Sequence, residues 1–309
     1  MTQKTAIMGL LAQTSIHAGA GQHTGVIDLP IQREGHNGWP CVFGSAVKGA
    51  LRNHAEQKYG RGNESVIYVF GPDTTAGNEH AGAVAISDAR LLLLPVRSLT
   101  SQFKWVTCPA AIKRFFKDTD RFGITISDTP SFSMEKNSAL VAEGQEGDPL
   151  FLEEYRFKTI GAEFDAIIDL LLQLMKNVVR DDLVKQLVMI DDDNFSHLSQ
   201  HATPVNAHIA IDSETKIVKP GALWYEETLP PETLLYTGIS AVDSRKKHDL
   251  NNIDETPPAG MDATQILGAV TDLFAEKCWL QLGGNETVGM GWCAVSVLSD
   301  NPKEKGAQS

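Results

Sequence analysis

Apolar residues recur along this chain with two different periods. Phe164, Ile167, Ile168, Leu171, Leu172, Met175, Val178 and Val179 fall on one stripe at spacings of three, four and seven, which predicts one long core helix. A second helix is predicted to start at Gly44-Ser45, with Ser45 as N-cap and Val47, Ala50, Leu51 and His54 at helical spacing. A third carries Ile266, Leu267, Val270, Leu273 and Phe274, and residues 109–116 predict a short one. Strands are predicted over residues 5–15, 83–96, 205–211, 222–225, 234–242, 278–282 and 292–298. Two glycine-rich segments interrupt the pattern, His17-Ala-Gly-Ala-Gly-Gln-His23 and Gly283-Gly-Asn-Glu-Thr-Val-Gly-Met-Gly291. Residues 243–260 form a polar loop rich in Lys, Asn, Asp and Pro.

With hairpin-length connections between several strands, this order favours an α+β sheet with helices on one face over a doubly wound parallel fold. The chain has 309 residues. Neither a low-complexity linker nor a 20–50-residue repeat divides it, so it reads as a single domain over 1–309. The longest apolar stretch, 166–175, is interrupted by Asp169 and Gln173 and is too short to cross a bilayer. The first eleven residues lack a signal-peptide pattern, so a cytoplasmic protein is expected. Cys41, Cys108, Cys278 and Cys293 form no C-x-x-C pair and read as reduced core thiols, Cys278 and Cys293 being the pair that a hairpin would bring together.

Charge changes the picture. There are 27 Lys and Arg against 39 Asp and Glu, a net −12, the wrong sign for coating nucleic acid by bulk electrostatics. The acidity is segregated, however. Residues 97–121 hold six bases (Arg97, Lys104, Lys113, Arg114, Lys117, Arg121) and two acids (Asp118, Asp120), while residues 143–154 hold five acids and no base. A basic track therefore remains open.

Several residue groups invite chemistry. The glycine loop 283–291 suits a phosphate cradle, but it joins two strands and lacks the Gly-Lys-Ser/Thr ending of a P-loop, so a bulged glycine hairpin is an equal reading. At Ser45 to Arg52, a helix N-terminus with Lys48 and Arg52 one turn apart suits a phosphate backbone, against the bland reading of two solvated bases. Asp28 is a carboxylate inside an apolar run and is either capped by backbone N–H groups or functional. His197 and His201 are four apart without the glutamate of a zinc protease, and His248-Asp249 lacks the further ligands of a metal phosphohydrolase.

Taken together, His17-Ala-Gly-Ala-Gly-Gln, Gly25-Val-Ile-Asp-Leu-Pro-Ile-Gln-Arg-Glu34, Pro40-Cys-Val-Phe-Gly-Ser-Ala-Val-Lys-Gly-Ala-Leu-Arg52 and Leu280-Gln-Leu-Gly-Gly-Asn-Glu-Thr-Val-Gly-Met-Gly291 resemble the RAMP superfamily of CRISPR proteins. The Asp-Leu-Pro-Ile-Gln-Arg-Glu stretch and Gly221-Ala-Leu-Trp-Tyr-Glu-Glu-Thr-Leu-Pro230 resemble the repeated backbone subunit of its Cmr-type (type III-B) effector complexes. The resemblance implies a modified RRM-like, ferredoxin-type core with an added thumb hairpin and a glycine-rich C-terminal loop, with insertions at about 97–160 and 243–260. It implies a guide RNA (crRNA), a complementary target RNA, other effector subunits and further copies of the chain in a helical filament as partners, and no membrane.

By position in the family pattern, Asp28, His17 and Glu226 are implied to be catalytic. Ser45, Lys48, Arg52, Gly283, Gly284, Gly289 and Gly291 are implied to contact RNA. Thr228 stands where relatives are expected to carry an aromatic. RNA can be cut by its own 2'-hydroxyl, so one carboxylate acting as base or as ligand to a divalent cation such as Mg2+ suffices, with His17 either donating a proton or positioning RNA. The reading is a guide-dependent endoribonuclease. Its alternatives are a non-catalytic guide-coating scaffold and, more weakly, a nucleotide-binding enzyme built on the glycine loop.

Overall fold

The first strand buries seven consecutive residues, Ala6 to Ala12, and that unbroken burial explains the architecture around it. A strand covered on one face alternates buried and exposed residues; one covered on both faces does not. The computed structural model describes residues 3–22, 24–72, 80–124, 126, 132–245 and 260–299. Along the chain come β1 (Lys4–Ala12), β2 (Cys41–Val42), α1 (Gly44–Tyr59), α2 (Glu64–Phe70), β3 (Val84–Ile86), β4 (Ala89–Arg97), β5 (Phe103–Thr107) and α3 (Pro109–Arg121). Then follow β6 (Ser138–Ala142), β7 (Leu150–Leu152), β8 (Tyr155–Ala162), α4 (Asp165–Leu174), α5 (Arg180–Gln186), β9 (Leu187–Ile190) and α6 (Asp192–His201). The last third holds β10 (Val205–Ile211), β11 (Val218–Glu227), β12 (Leu234–Ala241), α7 (Ala263–Thr271), β13 (Trp279–Gln281) and β14 (Trp292–Leu298).

Twelve strands form one sheet in the order β13-β14-β1-β12-β4-β5-β9-β6-β8-β7, with β2 added on β4 and β3 on β12. Its pairs are antiparallel except β5 with β9 and β6 with β8, so the class is α+β as expected. Even-numbered residues of β1 (Ala6, Met8, Leu10) join a core with Val47 and Leu51 of α1 and Ile266 and Val270 of α7. Odd-numbered ones (Ile7, Leu11) join a second core with Phe115 of α3, Ile168 and Leu171 of α4, and Leu183 of α5. Helices therefore cover both faces, which corrects the expectation of one covered face. Packing on the second face is close enough that a Cβ at Gly9 would lie 2.5 Å from Leu174 O.

Local corrections have local causes. The stripe at 164–179 is not one helix: α4 stops at Leu174, Asn177 turns left-handed at φ 66°, and α5 starts at Arg180. The strand expected over 83–96 breaks at Ser87-Asp88, where Ser87 N–H donates sideways to Gly238 O at 2.9 Å. The N-cap of α1 is Phe43 rather than Ser45. All four cysteines are free, and the β13–β14 register sets Leu280 rather than Cys278 opposite Cys293. Residues 103–107, 138–142 and 150–152, within 97–160, and 155–162, which runs past its end, are strands paired into the main sheet region. Of the loop at 243–260, residues 246–259 lie outside the described residues, and His248-Asp249 with them; His23 does as well. Among the described residues no helix is long and apolar enough to cross a membrane.

β10 and β11 pair with each other as a two-stranded sheet. Ile209, Ile211, Ile217, Val218 and Leu223 are all exposed on this hairpin. Its turn is closed by Asp212, whose Oδ1 accepts from the N–H groups of Glu214 and Thr215 at 3.0 and 2.9 Å. These bonds, with the Thr215 hydroxyl, hold the Asp212 carboxyl below its ordinary range.

Candidate functional site

After β1 the chain runs along the root of the β10–β11 hairpin and is stitched there by short ladder contacts. Ile16 pairs antiparallel with Leu229, Gly19 with Ile31, and Leu29 pairs in parallel with Glu226. Leu29 N–H donates to Tyr225 O at 3.1 Å, and Leu29 O accepts from Glu227 N–H at 3.0 Å. Asp28 rides on this stretch. Its Oδ2 accepts from Tyr225 N–H at 2.8 Å, so one carboxylate oxygen is fixed by backbone while the side chain stays half-buried. Both readings left open for Asp28 are thus physically compatible, since a single backbone bond orients the group and leaves Oδ1 for a ligand.

His17 is seated a few residues earlier. Its Nδ1 lies 2.8 Å from Glu227 O and 3.5 Å from Glu226 Oε1. A carbonyl oxygen only accepts, so Nδ1 carries a proton and a neutral ring presents Nε2 as an acceptor. Glu226 is 3% exposed, and its Oε1 also accepts from Asn285 Nδ2. Successive strand residues point to opposite sides, and Glu227, equally buried, turns the other way. Its carboxylate takes Arg33 Nη2 at 2.5 Å, Thr203 Oγ1 at 2.6 Å and Ile31 N–H at 3.1 Å.

The glycine loop closes this arrangement. Gly283 sits at φ 83°, and a Cβ there would lie 2.4 Å from His17 O, so only glycine lets the loop approach. Gly284 N–H donates to His17 O and Gly291 N–H to Ser15 O, each at 2.8 Å. Gly289 N–H donates to Glu286 O and Met290 N–H to Asn285 O. The N–H groups that a phosphate cradle needs are therefore engaged at Gly284, Gly289 and Gly291, and as folded the loop seats His17 instead.

Asp28, His17 and Glu226, the last about two hundred residues from the other two, thus meet at the hairpin root, with Asn285 as a member that motif reading missed. The Arg33-Glu34 half of the quoted motif turns out to be structural. Arg33 also donates to Gly38 O and Ser199 O at 2.8 and 2.9 Å, and Glu34 receives Arg114 Nη1 at 2.7 Å. Thr228 is fully buried, and its Oγ1 has no hydrogen-bond partner among the described residues.

The helix expected to meet phosphate is more mixed. Gly44 N–H, at the start of α1, already donates to Asp88 Oδ1 at 2.7 Å, and Ser45 is exposed beside it. Arg52 bonds Glu56 at 2.8 Å and the carbonyls of Gly71 and Pro72 at 3.2 Å. Lys48 has neither a hydrogen-bond nor an ion-pair partner among the described residues. Burial first, then the nearby positive charges of Arg52 and Arg245, push its ammonium below the usual lysine range, as expected of a basic patch without its counter-anion.

A cleft of about 440 Å3 lies elsewhere, lined among others by Arg97, Tyr155, His197, His201 and Thr203. It includes none of the converging residues. An extended polymer is bound along a surface rather than inside a concave pocket, so the convergence at the hairpin root carries more weight than the larger hollow. The rings of His197 and His201 lie tilted by 45° with centroids 4.5 Å apart, and His197 Nε2 meets Tyr155 OH at 2.8 Å. Among the described residues no group of three or more His, Cys, Asp or Glu could hold a metal ion.

The chain is similar to known proteins along nearly its whole length. The RAMP superfamily model matches residues 10–294. The chain is 32% identical over 297 residues to the CRISPR system Cmr endoribonuclease Cmr4 of Pyrococcus furiosus, covering 95% of this chain and 96% of that protein. The crystal structure of oligomeric Cmr4 from Pyrococcus furiosus superposes with a TM-score of 0.71 at 24% identity, covering 97% of this chain and all of that one. A subunit of the type III-B Cmr-beta complex bound to cognate target RNA, seen by cryo-EM, superposes with a TM-score of 0.70 at 19% identity, covering 95% and 96%.

Proposed function

Because the chain belongs to the RAMP superfamily and, within it, to the Cmr4 family, we propose that it is the repeated guide-RNA-binding backbone subunit of a type III-B CRISPR effector complex and cuts the paired target RNA at regular intervals. The single observation that carries the catalytic part is the convergence of Asp28, His17 and Glu226 at the hairpin root. Its partners on this reading are crRNA, complementary target RNA, other effector subunits and further copies of itself.

The chemistry needs little from the protein. In RNA the 2'-oxygen attacks the adjacent phosphorus in line and the bond to the 5'-oxygen breaks, leaving a cyclic phosphate and a 5'-hydroxyl; two protons must move, one off the 2'-hydroxyl and one onto the leaving oxygen. Asp28, held by one oxygen, takes the first through the other. His17, whose Nδ1 is committed to Glu227 O, works through Nε2 and supplies the second when protonated. Residues fitting a divalent cation are sparse, since no pre-built cage exists among the described residues. Mg2+ commonly binds through one or two carboxylates plus substrate phosphate; as the alternative to acting as base, Asp28 would hold such an ion, which would neutralise charge at the scissile phosphate. Lys48, with Ser45 and Arg52 beside it, faces the guide backbone on this reading, while Gly283, Gly284, Gly289 and Gly291 act on RNA indirectly by seating His17.

The test is cleavage of a labelled, guide-complementary RNA by the reconstituted complex, comparing the parent protein with Asp28→Asn at matched target binding. Evenly spaced products that fall by at least about 100-fold in the variant are expected. Cutting unchanged by the substitution would move the chemistry to another residue, and no cutting by either protein would leave the scaffold reading in force.

A further inference from the structure

We propose that Asn285 is a positioning residue for RNA cleavage: its side-chain amide holds the Glu226 carboxylate against His17 Nδ1 and so keeps Nε2 turned toward the RNA. This rests on the endoribonuclease reading above and adds a residue to it.

Glu226 is a carboxylate at 3% exposure that touches neither Lys nor Arg among the described residues. Its recorded partners are Asn285 Nδ2 and His17 Nδ1. A buried charge without hydrogen bonds is strongly unfavourable, and Asn285 supplies the neutral donor that makes this one tolerable. Because a carboxylate only accepts, the amide nitrogen must be the atom facing it. A lysine or arginine in its place would cancel the negative charge; an amide leaves that charge to act on the imidazole.

The backbone argument is independent. Asn285 sits at φ 60°, ψ 30°, a left-handed conformation open to glycine and, among side-chain-bearing residues, chiefly to asparagine and aspartate. Its carbonyl accepts from Val288 N–H at 3.1 Å and Met290 N–H at 3.2 Å, and the loop is pinned on either side by Gly284 to His17 O and Gly291 to Ser15 O. The backbone from which the amide reaches Glu226 is thereby fixed. Glycine would satisfy the turn equally well, so the amide is what asparagine adds.

The experiment uses the reconstituted complex with guide RNA and labelled target, measuring single-turnover cleavage against pH together with target affinity. Asn285→Gly keeps the turn and removes the amide; cleavage is expected to fall at least tenfold with affinity within twofold. Asn285→Asp keeps shape but sets two carboxylates in contact, which can then share one proton and restore an O–H donor as the pH falls. Its rate relative to the parent is therefore expected to climb on acidification, a readout that a damaged loop would not produce. Asn285→Gly cutting as fast as the parent would overturn the proposal while the endoribonuclease reading stood, and so would a loss of cleavage matched by a loss of affinity. A parent complex that cuts nothing would overturn both.

Discussion

The two sides of the hairpin root carry neighbouring glutamates with the same 3% exposure and opposite surroundings. Glu227 faces a permanent cation and two further donors, Arg33, Thr203 and Ile31 N–H. Every bond there is made within the protein, and the group ties the loop at 28–33 and the end of α6 to the hairpin. Glu226 faces an amide and an imidazole, partners that hold it in place and leave its charge to act. Burial of a charge thus has two meanings, told apart by what compensates it: a fully paired ion is scaffold, and one balanced by an imidazole and a neutral donor is a candidate for function.

The largest effect expected from this contrast is on stability. Glu227→Ala strands Arg33, whose side chain is 22% exposed, and should cost about 3 kcal/mol, read as a lower urea midpoint at unchanged slope. A loss under about 1 kcal/mol would mean that water replaces the carboxylate and that the two sides are not so different. Glu226→Gln keeps volume and should stay within about 1 kcal/mol of the parent in stability, while cleavage falls about tenfold or more. The reverse pattern, an unstable variant that still cuts at the parent rate per folded molecule, would exchange the two roles.

Further out, the hairpin exposes Ile209, Ile211, Ile217, Val218 and Leu223 to solvent. Ile211 is 55% exposed and Leu223 likewise, an arrangement that suits contact with another molecule rather than folding. Ile211→Asp with Leu223→Asp should leave stability within about 0.5 kcal/mol and weaken self-association, followed by light scattering across a concentration series. Unaltered association would place the copy-to-copy contact elsewhere.

The smallest effect concerns Glu232, a half-buried carboxyl that burial pushes above the usual glutamate range. Its folded form holds a proton more tightly than the unfolded chain, so its contribution to stability is full below the unfolded value and is lost as pH rises through the folded one. Glu232→Gln should therefore raise the melting temperature slightly near pH 7, with the gain vanishing at about pH 4. A gain that persists unchanged into acid would rule out titration as its source.

Much of this was readable one segment at a time. The strands at 205–211 and 292–298 fall where alternating or continuous apolar runs put them, and α1 and α7 where helical spacing does. The acidic run 191–193 hid an element: Asp191 caps α6 by accepting from Asn194 N–H at 3.0 Å, so charges that look like a solvated loop begin a helix. Strand β5 and the short strands β6 to β9 were obscured because edge and parallel pairing leaves no clean period in so few residues. Asp28, His17 and Glu226 are proposed through resemblance, and the structure places them at one hairpin root, whereas Asn285 offered no signal beyond lying in a glycine loop.

By itself the sequence determined the apolar periods, the places where glycine permits a turn, and the kinds of chemistry each residue can perform, since these depend on a residue and its near neighbours. Only the tertiary structure decided which glutamate is paired with an arginine and which faces the imidazole of the proposed site. Strand geometry sends Glu226 and Glu227 to opposite sides, but what waits on each side comes from residues 59 and 194 positions away along the chain, and such pairings are set by how the sheet and the hairpin pack.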